Sequence, residues 1–219
     1  MKFGLIIRRR KGLVPEKVFR MDILVLCPIR MELWCGIIKI LKFLQLNLQK
    51  GFEMNVTQIN DFLKKAAFIA ENSTCGYKVG CVGVIKDEGQ KISPLALKDP
   101  HFRRKNGFIY LKTWNETLKG EIFCQNGRCI REIENLKGKE FQKVCSIHAE
   151  ANLIAKCAKY SIPTSKMTIF LTNSPCYICA KSIIQAGIKK IYYISKHTDE
   201  TGLKILKENS IPCEQLDFY

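Results

Sequence analysis

Apolar residues at Val56, Ile59, Phe62, Leu63, Ala66 and Ile69 recur at the three-and-four spacing of a single helical face, and Ser73 and Gly76 break the pattern. The run from Val79 to Lys86 then reads as a strand, as does Phe108-Ile-Tyr-Leu111. Ile147, Ala151, Ile154, Ala155 and Ala158 return to helical spacing, which predicts a helix with that apolar face and with residue 148 near its N-terminus. Met167 to Thr172 reads as a buried strand, and Pro175 suits the first turn of another helix. Ile188 to Ile194 reads as a strand, Glu200 to Glu208 as a helix and Cys213 to Phe218 as a short final strand. Helices and strands alternate, with no repeat or low-complexity tract, which predicts an α/β domain.

Two short motifs fall on the starts of the predicted helices. His148-Ala-Glu150 and Pro175-Cys-Tyr-Ile-Cys179 are joined by one helix and one strand, with 28 positions from His148 to Cys176. Catalytic zinc takes three protein ligands and leaves its fourth position to water, and one imidazole with two thiolates meets that count. His148, Cys176 and Cys179 are the candidate ligands. Thiols in the first turn of a helix ionise readily, because the N-terminus favours negative charge. Glu150, two positions from the histidine, reaches the same water without being a ligand. Either half-motif alone has an ordinary reading: a CxxC pair is often a structural zinc half-site or a redox pair, and a lone His-x-Glu means little. Together they point to hydrolytic deamination, in which zinc brings a water to a pKa of about 7 and Glu150 carries its proton to the departing amine of an amidine carbon such as C4 of cytosine.

The runs Cys145-Ser-Ile-His-Ala-Glu-Ala-Asn-Leu-Ile-Ala155 and Ser174-Pro-Cys-Tyr-Ile-Cys-Ala-Lys-Ser-Ile-Ile-Gln-Ala-Gly-Ile-Lys-Lys190 resemble the deoxycytidylate (dCMP) deaminase family of the cytidine deaminase-like superfamily. Ser73-Thr-Cys-Gly-Tyr-Lys-Val-Gly-Cys-Val-Gly-Val-Ile85 is similar to that family's first helix-to-strand junction, and Trp114-Asn115 stands where the family has a Gly-Tyr-Asn-Gly turn. The likeness covers about residues 55 to 219. It implies a three-layer α/β/α domain with a mixed five-stranded sheet, one catalytic zinc on His148, Cys176 and Cys179, and proton transfer by Glu150. It also implies that Asn115 contacts the nucleotide and that backbone groups near Ala149 and Ser174 hold the pyrimidine edge. Thr113-Trp-Asn-Glu-Thr117 lacks both glycines of the family turn; a turn asparagine bonded to its own backbone is the competing role for Asn115.

Cys124-Gln-Asn-Gly-Arg-Cys129 and Cys145 resemble a cysteine-rich insertion of some microbial family members, here about residues 120 to 145. With Cys75 they make a four-thiolate set for a second, structural zinc; reduced thiols or a disulfide are the alternatives. The 11 cysteines are an odd number, and with no convincing secretory signal they favour a reducing compartment, the cytoplasm by default.

A chain of 219 residues with 47% hydrophobic content buries a proper core. Residues 54 to 219 form the expected domain, and residues 1 to 53 an extension outside it that carries the basic cluster Arg8-Arg-Arg-Lys11. Its apolar stretch from Met31 to Leu48 is broken by Glu32, Lys39 and Lys42, which argues against a membrane span. The extension holds +7 of the net charge of +16, leaving +9 on the domain. That balance suits a phosphorylated small molecule and equally a nucleic acid. Ser93 to Gly107, with Pro94, Pro100, His101, Arg103, Arg104 and Lys105, reads as an exposed basic loop, either solvated or a phosphate or RNA contact. His101 and His197 read as surface or packed residues, and Arg131 and Tyr193 as packing or phosphate groups. The reading is a zinc-dependent deaminase of a cytosine nucleotide, dCMP to dUMP and ammonia, in an enzyme whose relatives include homo-oligomers. A nucleic-acid deaminase of tRNA type, and a nucleic-acid-binding or DNA-uptake accessory protein with a structural deaminase core, are the alternatives.

Overall fold

The computed structural model describes residues 53–117 and 146–217, together with Asn135. The extension before residue 53 and the cysteine-rich insertion lie outside the described residues. Helix α1 (Val56–Ala70) starts at Asn55, whose side chain accepts from the Gln58 N–H while Gln58 accepts from the Asn55 N–H in return, a capping box that satisfies two end donors at once. Strand β1 (Gly80–Lys86) follows, then a single turn α2 (Pro94–Leu97), the hairpin β2 (Phe102–Lys105) and β3 (Phe108–Trp114), helix α3 (Ala149–Tyr160), strand β4 (Thr168–Asn173), helix α4 (Tyr177–Gln185), strand β5 (Lys190–Ser195), helix α5 (Thr201–Glu208) and strand β6 (Cys213–Gln215).

The strands form one mixed sheet in the order β2-β3-β1-β4-β5-β6. Antiparallel pairs join β2, β3, β1 and β4, and parallel pairs join β4, β5 and β6. Because side chains alternate along a strand, each strand feeds two cores. Val82, Val84, Phe170 and Tyr192 point to one face, where Ile59, Phe62, Leu63 and Ala66 of α1 cover them. Cys81, Ile85, Ile109, Leu111, Ile169, Leu171 and Ile191 point to the other, against Leu153 and Cys157 of α3, Ala180 and Ile183 of α4 and Leu206 of α5. This is the three-layer α/β/α arrangement. Among the described residues no helix is long and apolar enough to cross a membrane.

Two expectations need correction. The sheet has six strands instead of five, because Phe102–Lys105 of the basic segment pairs with β3. Asn106 and Gly107 take φ of 54° and 75°, the left-handed pair that a two-residue hairpin turn requires. Phe102 is buried and anchors the strand, so only Arg103, Arg104 and Lys105 remain on the surface; Ser93 caps α2 in the same segment. The buried stripe of α3 is Ala149, Leu153, Cys157 and Tyr160, whereas Ala155 and Ala158 are exposed. Alanine fits either side of a helix, and the larger Leu153 and Tyr160 set the rotation.

Phe170 sits at the centre of the α1-side core, 5.2 Å from the ring of Phe62 and stacked at 5.2 Å on Tyr192. Phe170→Ala is expected to lower stability by about 3–5 kcal/mol, the range for truncating a buried aromatic, read as a shift of the urea midpoint at unchanged slope.

Candidate active site

The N-termini of α3 and α4 converge on one point. His148 is the N-cap of α3 and Cys176 the N-cap of α4, and neither side chain makes a capping hydrogen bond. Both are turned toward each other: His148 Nδ1 lies 3.5 Å from Cys176 Sγ and 3.4 Å from Cys179 Sγ. The three donor atoms lie within 4.8 Å of one another. For zinc bonds of 2.0–2.1 Å to nitrogen and 2.3 Å to sulfur, tetrahedral geometry places nitrogen and sulfur about 3.6 Å apart. The separations therefore fit a shared ion, and His148, Cys176 and Cys179 are the group among the described residues that can hold one.

The electrostatics match that use. A hydrogen bond from the Cys179 thiol, helped by His148, holds Cys176 well below the usual thiol range. The same bond, with burial, pushes Cys179 up. One proton is thus shared by the pair, and an incoming cation displaces it. Glu150 is in the first turn of α3 and almost fully buried. Burial raises its carboxyl above the ordinary value, opposed by backbone hydrogen bonding and by His148. Beneath it on β1, burial and then Glu150 itself keep the Cys81 thiol protonated.

Other residues frame the site. Thr113 of β3 donates to the Ala149 carbonyl at 2.9 Å, fixing the start of α3 against the sheet. Asn152 donates to the Trp114 carbonyl and to Glu116, both at 3.1 Å, and so ties the next turn to the strand end. Ser174 is buried; its N–H donates to the Ser195 carbonyl and its Oγ accepts from the His197 N–H, each at 2.8 Å. Asn173 Nδ2 donates to Tyr77 Oη at 2.9 Å across the mouth. Thr113, Asn152 and Tyr77 escaped sequence reasoning. Only Thr113 carried a signal, a hydroxyl on the strand face that otherwise presents Ile109 and Leu111.

Asn115 is tied into the chain around it. Its Oδ1 accepts from the Val79 N–H at 2.8 Å, and its Nδ2 donates to the Tyr77 carbonyl at 2.8 Å and to Ser146 Oγ at 3.4 Å. Its carbonyl accepts from Ser73 Oγ. Both ends of the amide are committed to pinning the loop before β1, so in this structure Asn115 organises the wall of the site. Tyr193 is a core residue of β5, His101 packs edge-on against Trp114, and His197 takes part in the turn beside Ser174. Cys75 is buried near Ser73; its expected companions Cys124, Cys129 and Cys145, and Arg131, lie outside the described residues.

In zinc-free protein, iodoacetamide is expected to alkylate Cys176 first, at a rate nearly constant from pH 8 down to pH 6, because its thiol is already ionised there. Cys157, whose pKa burial pushes up to about 12, stays unmodified, and zinc loading protects Cys176. Mass mapping of the alkylated peptides checks this; a Cys176 rate falling about tenfold per pH unit, as for an unperturbed thiol, would contradict it.

The profile of the cytidine and deoxycytidylate deaminase zinc-binding region matches residues 56–195. ComE operon protein 2 of Bacillus subtilis (strain 168) is 31% identical over 105 residues, covering 48% of this chain and 52% of that protein, so the chain spans about half the length of this relative. The deoxycytidylate deaminase of Enterobacteria phage T2 is 30% identical over 134 residues, 56% of this chain and 71% of that enzyme. Among solved structures, the dCMP deaminase of cyanophage S-TIM5 in complex with dCMP and dUMP superposes with a TM-score of 0.53 at 26% identity, over 75% of this chain and all of that one. With the matched span enclosing both helix starts and the His-Cys-Cys group, the chain belongs to the cytidine and deoxycytidylate deaminase zinc-binding family.

Proposed function

We propose that this protein hydrolyses the exocyclic amine of a cytosine nucleotide, converting dCMP to dUMP and ammonia. The observation that carries the reading is the meeting of a buried carboxylate, Glu150, with an N/S/S donor set at the mouth of two helices. Relatives named deoxycytidylate deaminase, one of them seen with dCMP and dUMP, support the substrate.

His148, Cys176 and Cys179 hold the zinc, and a three-ligand set leaves the open position that catalytic sites require. When bound, zinc supplies Lewis acidity that makes water acidic enough to serve as a nucleophile near neutral pH. Glu150 accepts a proton from the attacking water and returns protons to the pyrimidine. Over one cycle the water oxygen ends on C4, and its two hydrogens end on N3 and on the departing amine, which leaves as ammonia. A carboxyl raised by burial suits that transfer, since it takes a proton from water more readily than an ordinary carboxylate and so can carry one to the pyrimidine. The Thr113 and Asn152 contacts keep α3, and therefore Glu150, in register with the sheet during the transfer.

Substrates of nucleic-acid type form the second reading. A cleft of about 400 Å³ is lined by Lys98, Lys156 and Lys159, by the rings of His101, Trp114 and Tyr160, and by the carboxylates Asp99 and Glu116. None of the three lysines takes an ion pair among the described residues, and Lys156 lies over the Trp114 ring at 5.3 Å. Cations beside aromatic faces suit a phosphate backbone and its bases. Self-association, supported by exposed Phe68, Leu97, Tyr177 and Ile178, belongs to the same proposal, as does a reducing cytoplasmic setting, which keeps Cys176 and Cys179 available to metal. Light scattering behind a sizing column gives the assembly mass; a monomer at all concentrations would refute the self-association.

Purified zinc-loaded protein is expected to release ammonia from dCMP in preference to CMP, deoxycytidine, cytidine and a cytosine-containing single-stranded oligonucleotide. Glu150→Ala is expected to keep zinc and fold while losing about 100-fold or more in turnover. Release from the oligonucleotide alone favours the second reading, and undiminished turnover by Glu150→Ala removes the proton-transfer role.

A further inference from the structure

The first turn of α5 presses on the main chain that carries Cys176. A Cβ built on Gly202 would lie 2.0 Å from the Pro175 carbonyl oxygen, 2.8 Å from the Cys176 carbonyl carbon and 2.9 Å from the Cys176 carbonyl oxygen. All three are backbone atoms, so no side-chain rotation relieves the overlap. The Cys176 carbonyl also accepts from the Ala180 N–H at 2.9 Å, the bond that opens α4. Anything that moves this carbonyl moves the helix start and the Cys176 thiol with it.

We propose that Gly202 is a positioning residue for the metal site: its bare backbone sets the seat of the Pro175–Cys176 peptide, and with it the reach of Cys176 Sγ toward His148 Nδ1. The inference rests on the metal reading of the site and not on the choice of substrate. A chain of short turns holds Gly202 against that seat. Ser174 is bonded through both its N–H and its Oγ to the segment after β5. His197 Nδ1 accepts from the Asp199 N–H at 3.0 Å. Asp199 accepts from the Thr201 N–H at 2.9 Å and from Thr201 Oγ1 at 2.7 Å, which fixes the residue before Gly202. The strand-to-helix connection on one side of the ligand loop therefore grips it at two points, Ser174 and Cys176, on either side of Pro175.

A role in mere packing makes a different prediction, and Gly83 separates the two. A Cβ there meets Met167 Sδ at 2.7 Å and the ends of the Leu153 side chain at 2.8 and 2.9 Å; these are flexible groups in the core, so Gly83→Ala crowds the interior without touching the ligand loop. Zinc affinity is measured by chelator competition, ligand geometry by the visible absorption of the cobalt(II)-substituted protein, and fold by far-ultraviolet circular dichroism. Gly202→Ala is expected to weaken zinc binding about tenfold or more, the scale on which groups supporting metal ligands act, and to shift the cobalt bands while the dichroism is retained. Gly83→Ala is expected to lower the melting temperature with zinc affinity and cobalt spectrum unchanged. Wild-type affinity and spectrum in Gly202→Ala, or an equal loss of affinity in Gly83→Ala, would overturn the proposal. Where Gly202→Ala fails to fold, Asp199→Ala decides: freeing Thr201 is expected to weaken zinc binding about threefold or more in a folded protein, and unchanged affinity counts against the role. Because the readout is metal affinity, wild-type protein that binds zinc but spares dCMP defeats the substrate reading separately, and the Gly202 result still stands on its own.

Discussion

Two helix starts that give up their own caps to face each other are the constraint on which the rest of this structure depends. A polar side chain at the N-cap ordinarily satisfies one of the first free N–H groups, and losing it costs about 0.5–2 kcal/mol. Helix α1 keeps that arrangement through Asn55 and Gln58. Helices α3 and α4 do not: His148 and Cys176 hold the cap positions and point across the gap instead. The positive ends of both helices then face the same small volume, which favours a thiolate there. The thiolates meet those positive ends, and a bound cation would in turn meet the thiolates.

The sheet makes that convergence durable. β4 delivers the chain to Ser174, Pro175 and Cys176, and its parallel partner β5 returns at Ser195 to bond the same Ser174. β3 reaches the other helix through Thr113, whose hydroxyl meets the Ala149 carbonyl. The site is therefore held by strands from both the antiparallel and the parallel half of the sheet. Since β1 lies between β3 and β4 and is buried on both faces, a displacement of one ligand helix relative to the other has to disturb the core.

The gathering of His148, Cys176 and Cys179 and the burial of Glu150 were legible because rare residue types stand at fixed offsets on two helix starts, and such offsets survive in sequence order. Helix α1 and the central strands were legible for a related reason: a period of 3.6 or a short apolar run reports burial directly. What sequence order hides depends on partners distant in the chain. The Asn115 amide bonds Tyr77 and Val79, some 36 to 38 positions earlier. The face of α3 was misjudged because alanine carries too little information about orientation. The basic residues 103 to 105 read as a loop because their charge hides a strand with one buried anchor at Phe102, closed by the Asn106-Gly107 turn.

That hairpin also protects the protein from its own kind. A sheet edge exposes unpaired backbone groups that a second strand can join, and cationic side chains along an edge discourage the approach. β2 is the edge on its side of the sheet, and it presents Arg103, Arg104 and Lys105 in succession, with the Arg104 guanidinium held by Asp87. Two such edges brought side by side would confront like charge over three of the four residues of the strand. The basic segment thereby closes the sheet to outward growth on that side, a service to solubility that is independent of the chemistry at the site.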